Sequence, residues 1–410
     1  MPIGAFVVLA TWWLVGDERE PQPALILPAV FPVADPPRDL PSITTPASAP
    51  DVVAKSSEPD EVQMCGGAWA KLEADGRVDL KSVGAATRVR EEALAAEVLA
   101  AMQSSADEAT QAAAHAVGAQ ALWLLRGSLS ACKGAAACEQ NRAAAVKEGL
   151  AHRDALAKLA QGSVDPVVYG WAVQACNVRV PDAAGFCQLI SAAQWARLDP
   201  TNAVPWVAAA ESAQSQHDGA ALEDAIFRIA SAERYDPGEY RITAALLDHV
   251  PSGEDNLYAG FSLAARSIGV SAAQAAVEVQ SLGAFCRSGD VADATRRDAC
   301  VRIAEMLVKG STTRNGLYAA RLIGRRVGWS DDRFKELERE TRALEAAATD
   351  NRTGMESLSC EYFQASVDSL QQFAALGEVQ ALRRLVAATP LPAVSSKSPG
   401  ANFTVSTVRR

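Results

Sequence analysis

The chain has 410 residues and a formal net charge of −10, with 49% apolar residues, enough to build two or three ordinary domains or one elongated repeat domain. The acidic balance excludes a general nucleic-acid binder, which needs a concentrated basic surface to displace counterions, and disfavours docking on anionic lipid. Alanine supplies much of the apolar content while β-branched and aromatic residues are thin, which predicts an all-α fold of helices packed closely through small side chains. Arg outnumbers Lys by 30 to 9, and with the alanine content this points to a GC-rich bacterial genome.

Residues 3–15 (IGAFVVLATWWLV) are uninterrupted apolar, and Asp17, Glu18, Arg19 and Glu20 follow at once. As a helix this run spans about 20 Å, short of the ~30 Å hydrocarbon core. No Lys or Arg precedes it and no A-x-A cleavage site follows, while Trp12 and Trp13 stand where a membrane-surface aromatic belt would lie. Residues 1–16 are therefore read as an uncleaved signal-anchor in the inner membrane, its start upstream of Met1. A cleaved signal and a buried helix of a cytosolic protein are the alternatives. Residues 17–60 hold ten of the twenty prolines and read as an extended, disordered linker.

Residues 61–389 form the expected helical domain. Apolar residues recur at helical spacing at Val89, Leu94, Val98 and Met102, then Phe186, Leu189, Ile190 and Ala193, then Phe334, Leu337, Thr341 and Leu344. Further helices are predicted over Ala272–Cys286, Thr295–Val308, Thr312–Gly328 and Asp332–Ala347. Segments of this length with short Gly-, Pro-, Asp- or Ser-bearing breaks make antiparallel neighbours. Residues 390–410 carry three prolines, are polar, and read as a disordered tail.

Asp-Pro occurs at Asp165-Pro166, Asp199-Pro200 and Asp236-Pro237, spaced by 34 and 37 residues, each beside an amphipathic helix where Asp can cap an N-terminus and Pro is tolerated in the first turn. The unit between the last two resembles a tetratricopeptide repeat. Trp206 matches the large residue opening the first helix, Ala210 the small residue where the helices touch, Asp218-Gly219 the turn, and Asp236-Pro237 the close. Ala213 stands where the family has Tyr, and the second helix is about one turn too long. Outside 165–237 only a helix-turn-helix rhythm persists. The resemblance implies helical hairpins stacked into an α-solenoid, degenerate tetratricopeptide-like or Sel1-like.

Eight cysteines are many for a reducing compartment, and no C-x-x-C occurs. Six fall in near-neighbour couples, Cys132/Cys138, Cys176/Cys187 and Cys286/Cys300, which are read as disulfides worth roughly 2–3 kcal/mol each by loop closure. Buried free thiols are the alternative, and metal ligation is disfavoured because the four histidines are scattered. Cys65 and Cys360 are left over and bridge only if the array closes on itself.

No H-E-x-x-H, P-loop or G-x-G-x-x-G motif occurs. Gly260–Ala264 lacks the last glycine of a nucleophile elbow, and Ser130–Lys133 fits S-x-x-K without its companion motifs. Glu211-Ser212 and Glu356-Ser357 share the Glu-Ser of superhelical lytic transglycosylases without the stretch that follows it there, and both read as solvated helix residues. Trp123, Trp171, Trp195, Trp206 and Trp329 read as inter-helix packing. No catalytic, cofactor-binding or metal-ligating residue is assigned. The expectation is a non-enzymatic, periplasmic scaffold that binds a protein or peptide, with a cell-wall or thiol enzyme using Glu356, Cys65 or Cys360 as the alternative, and bracing of a neighbouring subunit as a third.

Overall fold

The computed structural model describes residues 61–63, 65–66, 69–72, 78–79, 82, 85–128, 136–178, 185–287, 289–350 and 359–388. The apolar run at 3–15, the linker to residue 60, the tail from 390, Cys132, Glu356 and Ser130–Lys133 lie outside them, as does the side chain of Cys138. No helix among the described residues is long and apolar enough to cross a membrane.

The fold is all-α in its body. Fourteen α-helices run through the described residues: α1 (Ala85–Gln103), α2 (Glu108–Ser128), α3 (Ala136–Gly162), α4 (Pro166–Cys176), α5 (Ala192–Leu198), α6 (Ala203–Ser215), α7 (Gly219–Ser231), α8 (Glu239–Asp248), α9 (Glu254–Phe285), α10 (Ala294–Gly310), α11 (Arg314–Val327), α12 (Asp331–Asp350), α13 (Cys360–Leu376) and α14 (Glu378–Ala388). Side chains that leave the helix to satisfy first-turn N–H groups mark their starts: Ser191 before α5, Asp218 before α7, Asp293 before α10, Thr313 before α11 and Ser359 before α13.

Two expectations are corrected. Strands β1 (Glu61–Gln63), β2 (Trp69–Leu72) and β3 (Val78–Asp79) form a small antiparallel sheet ahead of the helices, in order β1-β2-β3. Strands this short carry too few residues for a period-two pattern to register. The second correction concerns Phe186, Leu189, Ile190 and Ala193, which do not share a helix. Phe186–Leu189 is one 3-10 turn with no inward side, and Ile190 is extended. Phe186 and Leu189 are 39% and 64% exposed, so their helical spacing reflects no buried face.

Among consecutive helices, α2 packs most extensively with α3, α6 with α7, and α10 with α11. Helix α9 is the exception in length and position. Its 32 residues extend well N-terminal of the expected start at Ala272 and span about 48 Å. It touches α1, α2, α6, α8, α11 and α13. That is a central helix with partners from both halves of the chain, whereas in a solenoid each unit meets only its neighbours. Small residues (Ala259, Gly260, Ala264, Ser267, Ser271, Ala275) are buried along it, which lets surrounding helices approach closely.

Cystines tie the body at three places among the described residues. Cys176 and Cys187 join the end of α4 to the 3-10 turn, with Cα atoms 5.4 Å apart, and Cys286 and Cys300 join the end of α9 to α10 at 5.8 Å. The second pair is reachable because a 3-10 turn (Asp290–Ala292) intervenes and α10 starts only at Ala294. Cys65 and Cys360, 295 residues apart, are also joined. Their bridge pins the sheet against α13 and α9, where Phe363 packs with Tyr258, Phe261 and Tyr362.

Candidate ligand-binding site

Four connections between helices meet and hydrogen-bond to one another as short extended segments. Glu233 N donates to Thr201 O (2.9 Å) and Ala203 N to Arg234 O (2.8 Å). Tyr235 N donates to Gly310 O (3.0 Å), Thr312 N to Tyr235 O (3.0 Å), and Val379 N to Thr312 O (3.1 Å). The seam thus runs from the α5–α6 connection through α7–α8 and α10–α11 to the start of α14. Gly310 is required there: a Cβ would stand 2.3 Å from Glu233 O, a backbone atom that cannot turn aside.

The Asp-Pro dipeptides build this seam, but not as three equivalent caps. Asp165 caps α4 as expected, accepting from Val167 N at 2.8 Å. Asp199 instead closes α5 at its C-terminus and pairs with Arg234. Asp236 accepts from Gly238 N (3.0 Å) and the Thr312 hydroxyl (3.2 Å) and pairs with Arg241 (2.7 Å). Proline at 200 and 237 removes a donor that a continuing helix would use, which frees these aspartates to bind across the seam.

Asn202, 3% exposed, is the residue that spacing did not single out. Its Nδ2 donates to Asp199 Oδ2 (3.0 Å) and Asp236 O (2.9 Å), and its Oδ1 accepts from Asp236 N (3.1 Å) and Val204 N (3.2 Å). Of the tetratricopeptide positions, Ala210 is fully buried between α6 and α7, and Trp206 is half-buried, its Nε1 donating to Pro200 O at 3.0 Å with Arg228 over its ring.

Two hollows open on the seam and share Asp236, Gly238 and Arg241. The first is a small hollow of about 20 Å³, lined by Pro166, Trp171, Trp195, Asp199 and Pro237 among others, with room for about one water. The second is a cavity of about 140 Å³ between the N-terminus of α8, Thr312 and Thr313, and the last turn of α13, with Glu239, Tyr240, Phe373 and Leu376 in its wall.

Carboxyl groups crowd beneath the seam. Glu278 on α9 is half-buried, and burial pushes it up to about 8. Hydrogen bonds from the Tyr235 hydroxyl (3.1 Å) and Gln174 (3.4 Å) oppose the shift, and Glu211 adds to it. Glu239 rises from 4.5 to about 8, first by burial and then by the negative charges of Glu378 and Glu278, with Arg314 opposing. Glu211 is not solvated: it rests against the Ser281 hydroxyl, and burial raises it. Glu378 takes both the Nε (2.6 Å) and the backbone N–H (2.9 Å) of Arg314, which leaves that cation committed. The Tyr240 hydroxyl serves the carboxyls of both Glu239 and Glu378. Glu239 Oε2, in a residue only 7% exposed, has no partner.

Away from the seam, His115 on α2 and His152 on α3 face each other with Nδ1 atoms 3.0 Å apart. Burial holds both below the ordinary histidine value. For His115 the charge of His152 adds to this, and for His152 Glu148 opposes it. Two imidazoles do not make a metal centre, and among the described residues no group of three or more His, Cys, Asp or Glu is placed to hold one.

Compared with protein families, curated proteins and solved structures, the chain matches none.

Proposed function

We propose that the chain is a non-enzymatic scaffold of the bacterial cell envelope that binds a protein or peptide along the seam. One observation carries this reading: the two adjoining hollows, one small and one larger, lie on backbone held by the Asn202, Asp236 and Thr312 hydrogen bonds. A recess built on connections that are themselves cross-linked costs little ordering when an extended segment lies down on it. In this reading the α6–α7 pair and its Asp-Pro borders are a tetratricopeptide-like unit packed against α9. Export through the apolar 1–16 segment and tethering at the inner membrane supply the oxidising compartment in which three cystines form and persist.

A photo-reactive amino acid placed at position 241, on the rim shared by both hollows, tests the reading in intact cells. A discrete adduct from 241, absent when the same group replaces exposed Val89 on α1, supports it. Adducts equal at both positions, or none at 241, would remove it.

A further inference from the structure

The larger hollow has a chemical preference. Its volume, about 140 Å³, holds roughly four to five waters or a short unbranched chain. Buried carboxyls are ordinarily paired, because removing a carboxyl from water without a partner is costly. Glu239 breaks that pattern: Oε2 is buried and unpartnered beside a cavity that Glu239 itself lines.

The charged and titratable groups around Glu239 are Tyr235 and Asp236 in the connection, Tyr240 and Arg241 on α8, Glu278 on α9, Arg314 and Tyr318 on α11, and Glu378 on α14. Both cations are engaged, Arg241 with Asp236 and Arg314 with Glu378. Three further features of the wall favour positive charge. The last turn of α13 lines it, and a helix C-terminus presents the negative end of its dipole. Phe373 and Tyr240 meet edge to face (5.3 Å between centroids) in the same wall, and aromatic faces attract cations. Among the wall residues, Asp236 and Glu239 supply two carboxyls against the single guanidinium of Arg241. The N-terminus of α8 lies under Glu239 and favours its ionised form, so an entering cation finds an anion it can help to create.

From the unpartnered Glu239 carboxyl, the cavity and its aromatic and helix-end wall, we infer that the hollow is a binding site for a primary ammonium group, carried either by a lysine side chain of a peptide or by a free alkylamine. A guanidinium fits less well, because its planar fork wants both carboxylate oxygens and Tyr240 engages the Glu239 carboxyl. A divalent metal is worse served, since it requires several oxygen ligands and Glu239 offers one free atom. The lysine source rests on the peptide-binding reading above, whereas the alkylamine source does not.

The test is calorimetric titration of the intact, oxidised chain near neutral pH with n-butylammonium, with isosteric n-butanol, and with a blocked Gly-Lys-Gly peptide, in two buffers of different ionisation enthalpy. Binding of butylammonium or of the lysine peptide, but not butanol, with release of up to one proton as Glu239 ionises, is the expected result. Glu239→Gln, which keeps the shape and removes the charge, should abolish both the binding and the proton release. Ala374→Leu, which fills the hollow and leaves every charge in place, should abolish binding too, and it decides the matter should Glu239→Gln fail to fold. Binding of the peptide alone assigns the ammonium to a polypeptide, and binding of butylammonium alone assigns it to a free amine. Binding equal to that of butanol, binding retained in either variant, or no binding by either probe overturns the inference. The position-241 adduct is read separately, so a partner captured there without ammonium binding refutes this site and leaves the docking reading standing.

Discussion

Replacing Glu278 by Gln should change how stability depends on pH more than it changes the fold. In the unfolded chain this carboxyl ionises near 4.5, and in the folded chain near 8. Between those values the unfolded state sheds the proton first, so the folded state loses ground as pH rises through the interval. At about 1.4 kcal/mol per pH unit, raising the pH from about 5.5 to about 7.5 costs the folded state about 3 kcal/mol through this one group. Glu239 acts in the same direction over the same window, but Glu278 contributes to the shift of Glu239, so their joint effect falls short of twice that figure. Glutamine has the same outline and supplies one donor and one acceptor for Tyr235 and Gln174, as the neutral acid does. Urea denaturation of the two oxidised proteins, followed by circular dichroism at both pH values, gives the comparison. Glu278→Gln should be the more stable protein, by a margin that widens by about 3 kcal/mol from the lower to the higher pH. A margin that stays the same at both would mean that Glu278 ionises normally in the folded chain, and the account of the buried carboxyls would be wrong.

The histidine pair works on the acid side. Because burial holds His115 and His152 below 6.5 in the folded state, the unfolded chain takes up protons first, and stability should fall as pH drops below about 6.5. His152→Asn should flatten that acid limb in the same denaturation series, and an unchanged limb would acquit the pair. Gly310→Ala drives a methyl into the Glu233 carbonyl and should cost about 1–3 kcal/mol, whereas Gly219→Ala, with open space around it, should not exceed a fraction of that; equal losses would show that the seam can yield. Opening Cys65–Cys360 by double substitution to Ser should lower stability by up to about 5 kcal/mol, against about 3 for Cys176–Cys187, because the first closes a far longer loop. Equal losses from the two would argue that the chain ends stay together without the cystine. Non-reducing peptide mapping should recover cross-linked peptides for 65–360, 176–187 and 286–300, and free thiols at these six positions would return the cysteines to ordinary core packing.

Local information carried part of this architecture on its face. Alanine content, the spacing of Leu94, Val98 and Met102 and of Leu337, Thr341 and Leu344, and the short breaks between helices are properties of a few consecutive turns, and those residues are buried as the spacing requires, whereas Val89, read into the first pattern, is 64% exposed at the start of α1. Asp165 could be read as a cap because capping is decided within three residues. What local spacing could not convey is whatever depends on residues far apart in the chain. Asp199 and Asp236 share a dipeptide with Asp165, yet Arg234, Asn202 and Thr312 decide their roles, and they meet only after the connections align. Phe186 and Leu189 have helical spacing but lie outside the core, because the cystine to Cys176 and the extended Ile190 end the turn before a face can form. Glu239 and Glu278 are unremarkable acids in one dimension. Their raised ionisation arises from desolvation and from neighbouring carboxyls, Glu378 and Glu278 for Glu239 and Glu211 for Glu278, and these, like the unpartnered Oε2 beside the cavity, are set by distance in space, with no period along the chain to announce them.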